Sequence, residues 1–301
     1  MMKKNEHEFY LQLYQKAGTP IKINEQQWTQ LKEKKEVEVH YHTIEQKYDV
    51  LVGNYIQFEE KLLAEALEYA IRSSEKMHDG ISSLSISRMV INLLMSIGLY
   101  VEQTENRHIK ELGLSKEKFD LIKKSLSSIK KSPSFKFIKE LRNFSMHNDV
   151  PLHNFSFGGA WEQIKGEDED KLGQFITPMS KVERLRSDKH FKNKALEDIP
   201  EKNGYIDLRY PIRVCMADLS KFHVELRKAF EKSFQEVKRL ITGTVDKYKS
   251  STGSKYDYCY AFHKDESLYL SHKQYEKIDA FRNRNTGLGL LERRYIHNRI
   301  K

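Results

Sequence analysis

The chain has 301 residues, with 52 Lys+Arg against 43 Asp+Glu for a formal charge of +9, and that length suits one large domain or two small ones with a buried core. Its 14 Gly, 6 Pro, 32% charged and 39% hydrophobic residues exclude collagen-like, low-complexity and wholly disordered chains and favour a helix-rich protein. Two cysteines, Cys215 and Cys259, exclude a disulfide framework and a four-sulfur zinc site.

Apolar runs fall short of the roughly 20 residues of a membrane span, and the opening MMKKNEHEFYLQLYQ lacks a signal peptide's unbroken apolar stretch and cleavage site. The expectation is a cytoplasmic protein without a membrane partner, whose positive charge leans towards a polyanion.

Residues 1–42 read as a charged N-terminal arm, helical in pieces and broken at Gly18-Thr19-Pro20. From 43 to 250 the pattern is an all-α, up-down helical bundle with a partly β insertion at about 151–210, and 251–301 is a short basic C-terminal extension. Ile44, Tyr48, Leu51, Val52, Tyr55, Leu62, Ala66 and Tyr69 step by three and four, which draws one apolar stripe along a long helix ending at His78-Asp79-Gly80. A second helix over about Ser83 to Asn106 turns Ile86, Met89, Val90, Leu93, Leu94, Ile97 and Val101 inward. Ser115 opens a third, with Phe119, Ile122, Leu126 and Ile129.

Ser132-Pro133 opens a fourth helix, because a serine cap and a proline at the first helical position suit each other. It must stop near Asn148, since Pro151 disfavours helical geometry at Val150. Short strands at His153–Phe157, Gln174–Thr177 and Tyr205–Leu208 are expected in the insertion, around the acidic run Glu167-Asp168-Glu169-Asp170. The cleanest stripe follows, from Ile212 through Cys215, Leu219, Phe222, Leu226, Phe230, Phe234 and Val237 to Ile241. A hairpin pairing Tyr258–Phe262 with Leu268–Leu270 is expected near the end. No internal repeat is present.

Phosphate-loop, dinucleotide, H-E-x-x-H and C-x-x-C motifs are all missing. His40 and His42 lie two apart, on opposite helix sides, and read as a solvated surface pair rather than metal ligands. Gly287-Leu288-Gly289 reads as a loop. No metal and no cofactor is expected.

Leu141-Arg142-Asn143-Phe144-Ser145-Met146-His147 stands out. On a helix Phe137, Ile138, Leu141 and Phe144 fall within roughly 60° of one line and face the core. Arg142 and His147 then lie on opposite flanks, roughly 140° apart, while Asn143 at i sits near His147 at i+4, where its amide can orient the imidazole. Between the flanks lie Phe135, Asn143 and Met146, an oddly apolar surface that a partner would cover. The helix C-terminal dipole favours a cation at His147, and imidazole ordinarily titrates near neutral pH. Such a trio can act on a phosphodiester, the His moving a proton and the Arg holding developing charge bidentately. The plain alternative is a helix end carrying a capping His, with Arg lying over apolar surface.

An R-N-x-x-x-H run near the end of a late helix resembles the HEPN superfamily, whose motif is Arg, a polar residue, a short spacer and His. LRNFSMHNDVP and ISRMVINLLMSIGLYVEQ are similar in style to a group of bacterial HEPN-like proteins, over roughly residues 43–150 and 211–248. The resemblance implies an HEPN-like bundle acting as a metal-independent endoribonuclease. In it the ribose 2′-OH attacks the adjacent phosphate and leaves a 2′,3′-cyclic phosphate and a 5′-OH. It also implies a homodimer with a composite active site, catalytic residues Arg142, Asn143 and His147, a toxin-like or phage-defence role, and an antitoxin or regulatory protein as partner. Other members take nucleotidyl groups on a Tyr two residues past the His, where this chain has Asp149. Others are non-catalytic modules that bind RNA or a partner protein, and this alternative stays open.

Lys116, Lys118, Lys123, Lys124, Lys130, Lys131, Lys136 and Lys139 precede the motif and offer counter-charge to RNA, or simply a solvated face. Arg293 and Arg294, with Arg282, Arg284 and Arg299 beside Phe281 and Tyr295, suit single-stranded RNA or a dimer arm. Arg88, Asn92 and Ser96 make a polar ridge that lines a cleft or joins helices. His223 reads as a core histidine with a partner, and His153 as a weaker candidate for substrate contact.

Overall fold

A reciprocal cap starts the longest helix, α1 (Glu25–Ile71): the Gln27 amide N–H donates to Asn24 Oδ1 at 2.8 Å and the Asn24 N–H donates to Gln27 Oε1 at 3.0 Å. The helix therefore begins well before the stripe at Ile44. In the computed structural model, which describes residues 9–14, 18–71, 80–162 and 171–285, it is followed by α2 (Gly80–Gln103), a π-helical turn (Thr104–His108) and the short α3 (Ile109–Glu111). Then come α4 (Lys116–Lys131) and α5 (Pro133–His147). The chain next forms β3 (Asn154–Glu162), β4 (Lys171–Lys181), α6 (Val182–Ser187), a 3₁₀ turn (Asn193–Leu196) and β5 (Tyr205–Asp207). It ends with α7 (Arg209–Thr252), β6 (Tyr258–His263), β7 (Glu266–Ser271) and α8 (His272–Arg284), while β1 (Tyr10–Gln12) and β2 (Ile21–Lys22) precede α1.

The expectation of an all-α fold is overturned. Helix takes 69% of the described residues and seven strands take 15%, in two antiparallel sheets, so the class is mixed α/β. The expected strands in the insertion and the late hairpin are there, at β3 to β7. Missing from the expectation were β1 and β2, which are three and two residues long and too short for alternation to stand out in a charged segment. The residue boundaries expected at 42/43 and 250/251 fall inside α1 and α7.

The chain divides into two units. The first comprises Met1–Gln46, Thr104–Asp120 and Leu226–Thr286. Its sheet runs β2-β1-β6-β7, with Leu11 opposite Ile21 and Ala261, and Cys259 opposite Leu270. Leu11, Cys259, Ala261 and Leu270 are buried, as period two requires of a face turned to helices. Tyr41 stacks on Phe230 at 5.0 Å and meets Phe234 edge-on at 5.5 Å. Its hydroxyl donates to the Leu112 carbonyl at 3.1 Å and shares a 2.7 Å bond with Ser233 Oγ.

The second unit comprises Lys47–Gln103, Leu121–Glu225 and Gly287–Lys301. Here helix segments pack through the predicted stripes: Val90, Leu93, Leu94 and Ile97 of α2, Ile122 and Leu126 of α4, and Ile212, Leu219 and Phe222 of α7 are buried. His223 is a buried core histidine, stacked on Tyr48 at 3.6 Å with Nδ1 bonded to the Tyr100 hydroxyl at 2.9 Å. Arg213 forks onto Glu59 with two 2.7 Å bonds, which keeps a buried carboxylate paired. The sheet of this unit runs β3-β4-β5.

Among the described residues, one segment (Ser83–Glu111) is long and apolar enough by composition to cross a membrane, and about half of its most apolar stretch is buried.

Candidate functional site

α5 begins as its sequence requires: Ser132 Oγ accepts from the Phe135 N–H at 3.3 Å and Pro133 takes the first helical position. It closes with the Asn148 N–H donating to the Phe144 carbonyl at 2.9 Å. Phe137, Ile138, Leu141 and Phe144 are buried, so the core face lies where the periodicity put it. Met146 is 54% exposed. Phe135, expected beside it on the open sector, is buried along with Glu140. The open apolar surface therefore shrinks to Met146.

Arg142 crosses onto α2. Its Nη1 meets Glu102 Oε1 at 2.8 Å, and the guanidinium lies over Gly98, where an added Cβ would stand 1.7 Å from Nη1. Glycine at 98 is what makes room for the arginine, a close approach that no local pattern predicts. The Arg142 side chain is mostly covered, whereas Glu102 is 55% exposed, so a competing anion can reach this ion pair from solvent.

Asn143 turns one helical turn back: its Nδ2 donates to Glu140 Oε2 at 3.3 Å. The expected Asn143–His147 pairing is thus replaced by an Asn143–Glu140 bond. His147 is exposed at the helix end and stacks on His190, ring centres 4.9 Å apart at 29°. Asp188 sets this up. One of its oxygens accepts from Asn148 Nδ2 at 2.7 Å and the other from the His190 N–H at 2.8 Å, so the carboxylate ties the loop to the cap of α5. Arg142 and His147 stay on separate flanks, the first held at Glu102 and the second at His190.

His190 and Asp188 are the functional candidates that the sequence reading passed over. They lie in a polar loop some forty residues beyond the motif, and no spacing rule connects them to it. His153 sits against the edge of Phe144 at 5.6 Å, and its Nδ1 accepts from the Lys181 N–H at 3.1 Å. Burial lowers its pKa, Arg184 and Lys181 lower it further, and Asp149 opposes them. Its described contacts are packing against Phe144 and backbone pairing with Lys181.

Of the expected RNA contacts, Lys136 and Lys139 are exposed on α5, and Arg88 and Asn92 on α2. Ser96, the third member of that ridge, is buried and donates to the Leu93 carbonyl at 2.9 Å. Lys123, Lys124, Lys130 and Lys131 on α4 are exposed. Arg293, Arg294 and Arg299, the Gly287-Leu288-Gly289 loop and the acidic run at 167–170 lie outside the described residues. His40 pairs with His108 through Nδ1 atoms 2.9 Å apart, and His42 lies 5.9 Å from the Phe281 ring. Both replace the expected solvated pair with contacts inside the first unit. Among the described residues, no group of three His, Cys, Asp or Glu side chains is placed to hold a metal ion.

Comparison of the chain with known families, curated proteins and solved structures finds no matching family model, no matching curated protein and no matching solved structure.

Proposed function

We propose that the protein is a metal-independent endoribonuclease of HEPN type, acting as a homodimer whose sites combine α5 residues from two chains. One observation carries the reading: His147 is exposed at the helix end while Arg142 lies on another flank, so a site that uses both needs a second α5. In the proposed reaction the 2′-oxygen attacks the neighbouring phosphorus and the P–O5′ bond breaks. The 2′-OH proton leaves to a base, and the 5′-oxygen takes a proton from an acid. His147, with His190 stacked against it, supplies two imidazoles for these transfers. Arg142 stabilises charge on the phosphorane once phosphate displaces Glu102.

A second reading, a non-catalytic module that binds RNA or a regulatory partner, draws support from the Arg142–Glu102 ion pair and the Asn143–Glu140 bond, which occupy two of the three motif residues. Incubating purified protein with mixed RNA in EDTA separates the two. Cleavage to 2′,3′-cyclic phosphate ends that disappears in both Arg142→Ala and His147→Ala supports the enzyme. A gel shift without cleavage supports the binder.

A further inference from the structure

We propose that the outer face of the β2-β1-β6-β7 sheet binds single-stranded RNA by stacking bases on its tyrosines. Strand alternation builds the face. Because Cys259 and Ala261 of β6 are buried, Tyr258, Tyr260 and Phe262 point the other way. Register then sets Tyr10 opposite Phe262 and Tyr269 opposite Tyr260, and Tyr14 packs 5.6 Å from Tyr260. The rings form a continuous row: Tyr10 to Phe262 is 5.3 Å, Phe262 to Tyr260 is 5.8 Å, and Tyr260 to Tyr269 is 5.2 Å. Tyr14 is 60% and Tyr269 39% exposed.

Two properties select the occupant. The exposed rings are tyrosines more than aliphatic side chains, and their hydroxyls bond to no other described residue, so they keep donors and acceptors for base edges and phosphates. The charge is arranged for a polyanion. Of the flanking carboxylates, Asp257 pairs with Lys249 and Glu266 with Lys32, which leaves Asp265 exposed in the β6–β7 turn beside Lys264. Lys22 pairs with Tyr10 at the edge, and Lys255 and Lys264 flank β6. Flat rings without carboxylates among them, bordered by lysines, match a chain of bases joined by phosphates. The six residues of β6 span about 20 Å, enough for several nucleotides. The choice of RNA over DNA rests on the ribonuclease reading, whereas the stacking surface does not.

The test is fluorescence anisotropy on the full chain with a labelled twelve-nucleotide oligouridine carrying 2′-O-methyl groups, which cannot be cleaved through the 2′-oxygen. The expected result is salt-sensitive binding that weakens about tenfold in Tyr260→Ala and in Tyr269→Ala and persists in Tyr260→Phe and Tyr269→Phe. Tyr269 is exposed enough that its variants report even where Tyr260→Ala fails to fold. No binding by the wild type, or equal binding by the alanine variants, overturns the proposal. So does a change in oligomeric state in those variants with unchanged RNA affinity, which assigns the face to a second copy. Equal affinity for the deoxy oligomer of the same length overturns the RNA assignment. Unmodified RNA left intact while the modified oligomer binds marks failure of the ribonuclease reading alone.

Discussion

At the end of α5 the candidate groups are ionisable: an imidazole stacked on another, a guanidinium held by a carboxylate, an aspartate tying a loop to the helix cap. On the outer face of the β2-β1-β6-β7 sheet the row is made of aromatic rings, with Asp257 and Glu266 held by lysines. The first arrangement can move protons and stabilise charge but offers little area. The second offers area and stacking but nothing to drive a reaction. They also differ in how the chain encodes them. The motif lies within one helix, whereas the aromatic row joins residues 10–14 to residues 258–269 by strand register.

The largest expected effect separates the two regions by chemistry. His147→Ala should lower the rate of RNA cleavage by about 10²- to 10⁴-fold, the usual worth of a general acid or base, as followed by single-turnover gel assays. Tyr269→Ala should leave the cleavage rate at saturating RNA unchanged.

Gly98→Ala comes next. The new methyl displaces the Arg142 guanidinium from its bed on α2. Misplacing a charge-stabilising group by an ångström costs about 10²-fold in rate. The displaced atoms belong to the end of a flexible side chain, and alanine is favoured over glycine inside helices, so the melting temperature should hardly move. Equal loss of activity and stability would show that the arginine is structural.

A histidine built for the core should behave oppositely. Tyr100→Phe removes the hydroxyl that satisfies His223 Nδ1 and should cost about 1–3 kcal/mol in urea unfolding. Cleavage by the molecules that stay folded should be unchanged.

The smallest effect is the pH dependence contributed by His153. Burial holds its folded pKa below the ordinary 6.5, so between the two values the unfolded chain binds the extra proton. Its contribution to stability is full above 6.5 and is lost as pH falls towards the folded value. Unfolding midpoints at pH 7.5 and 5.5 should therefore differ less in His153→Phe than in the wild type.

Much of the helical part was legible because it rests on local rules. The Ser132-Pro133 start of α5, its stop at Asn148 and the α7 stripe all follow from caps, proline and period. The start of α1 was equally local: Asn24-x-x-Gln27 is a capping box, overlooked because the apolar stripe is thin there. Other features were beyond local reading. The strands β1 and β2 acquire meaning only through pairing with β6 at the other end of the chain. Burial of Phe135, the turn of Asn143 to Glu140, the bed at Gly98 and the arrival of His190 are tertiary events. A helical projection fixes which flank a residue leaves from, not what it meets.

The most direct measurement mixes the Arg142→Ala and His147→Ala proteins, each expected to cleave far more slowly alone, under conditions where differently tagged chains demonstrably exchange. Activity should return, because some sites in the mixed pair draw an intact guanidinium from one chain and an intact imidazole from the other. Proven exchange without any recovered cleavage would contradict a shared site between two copies of α5.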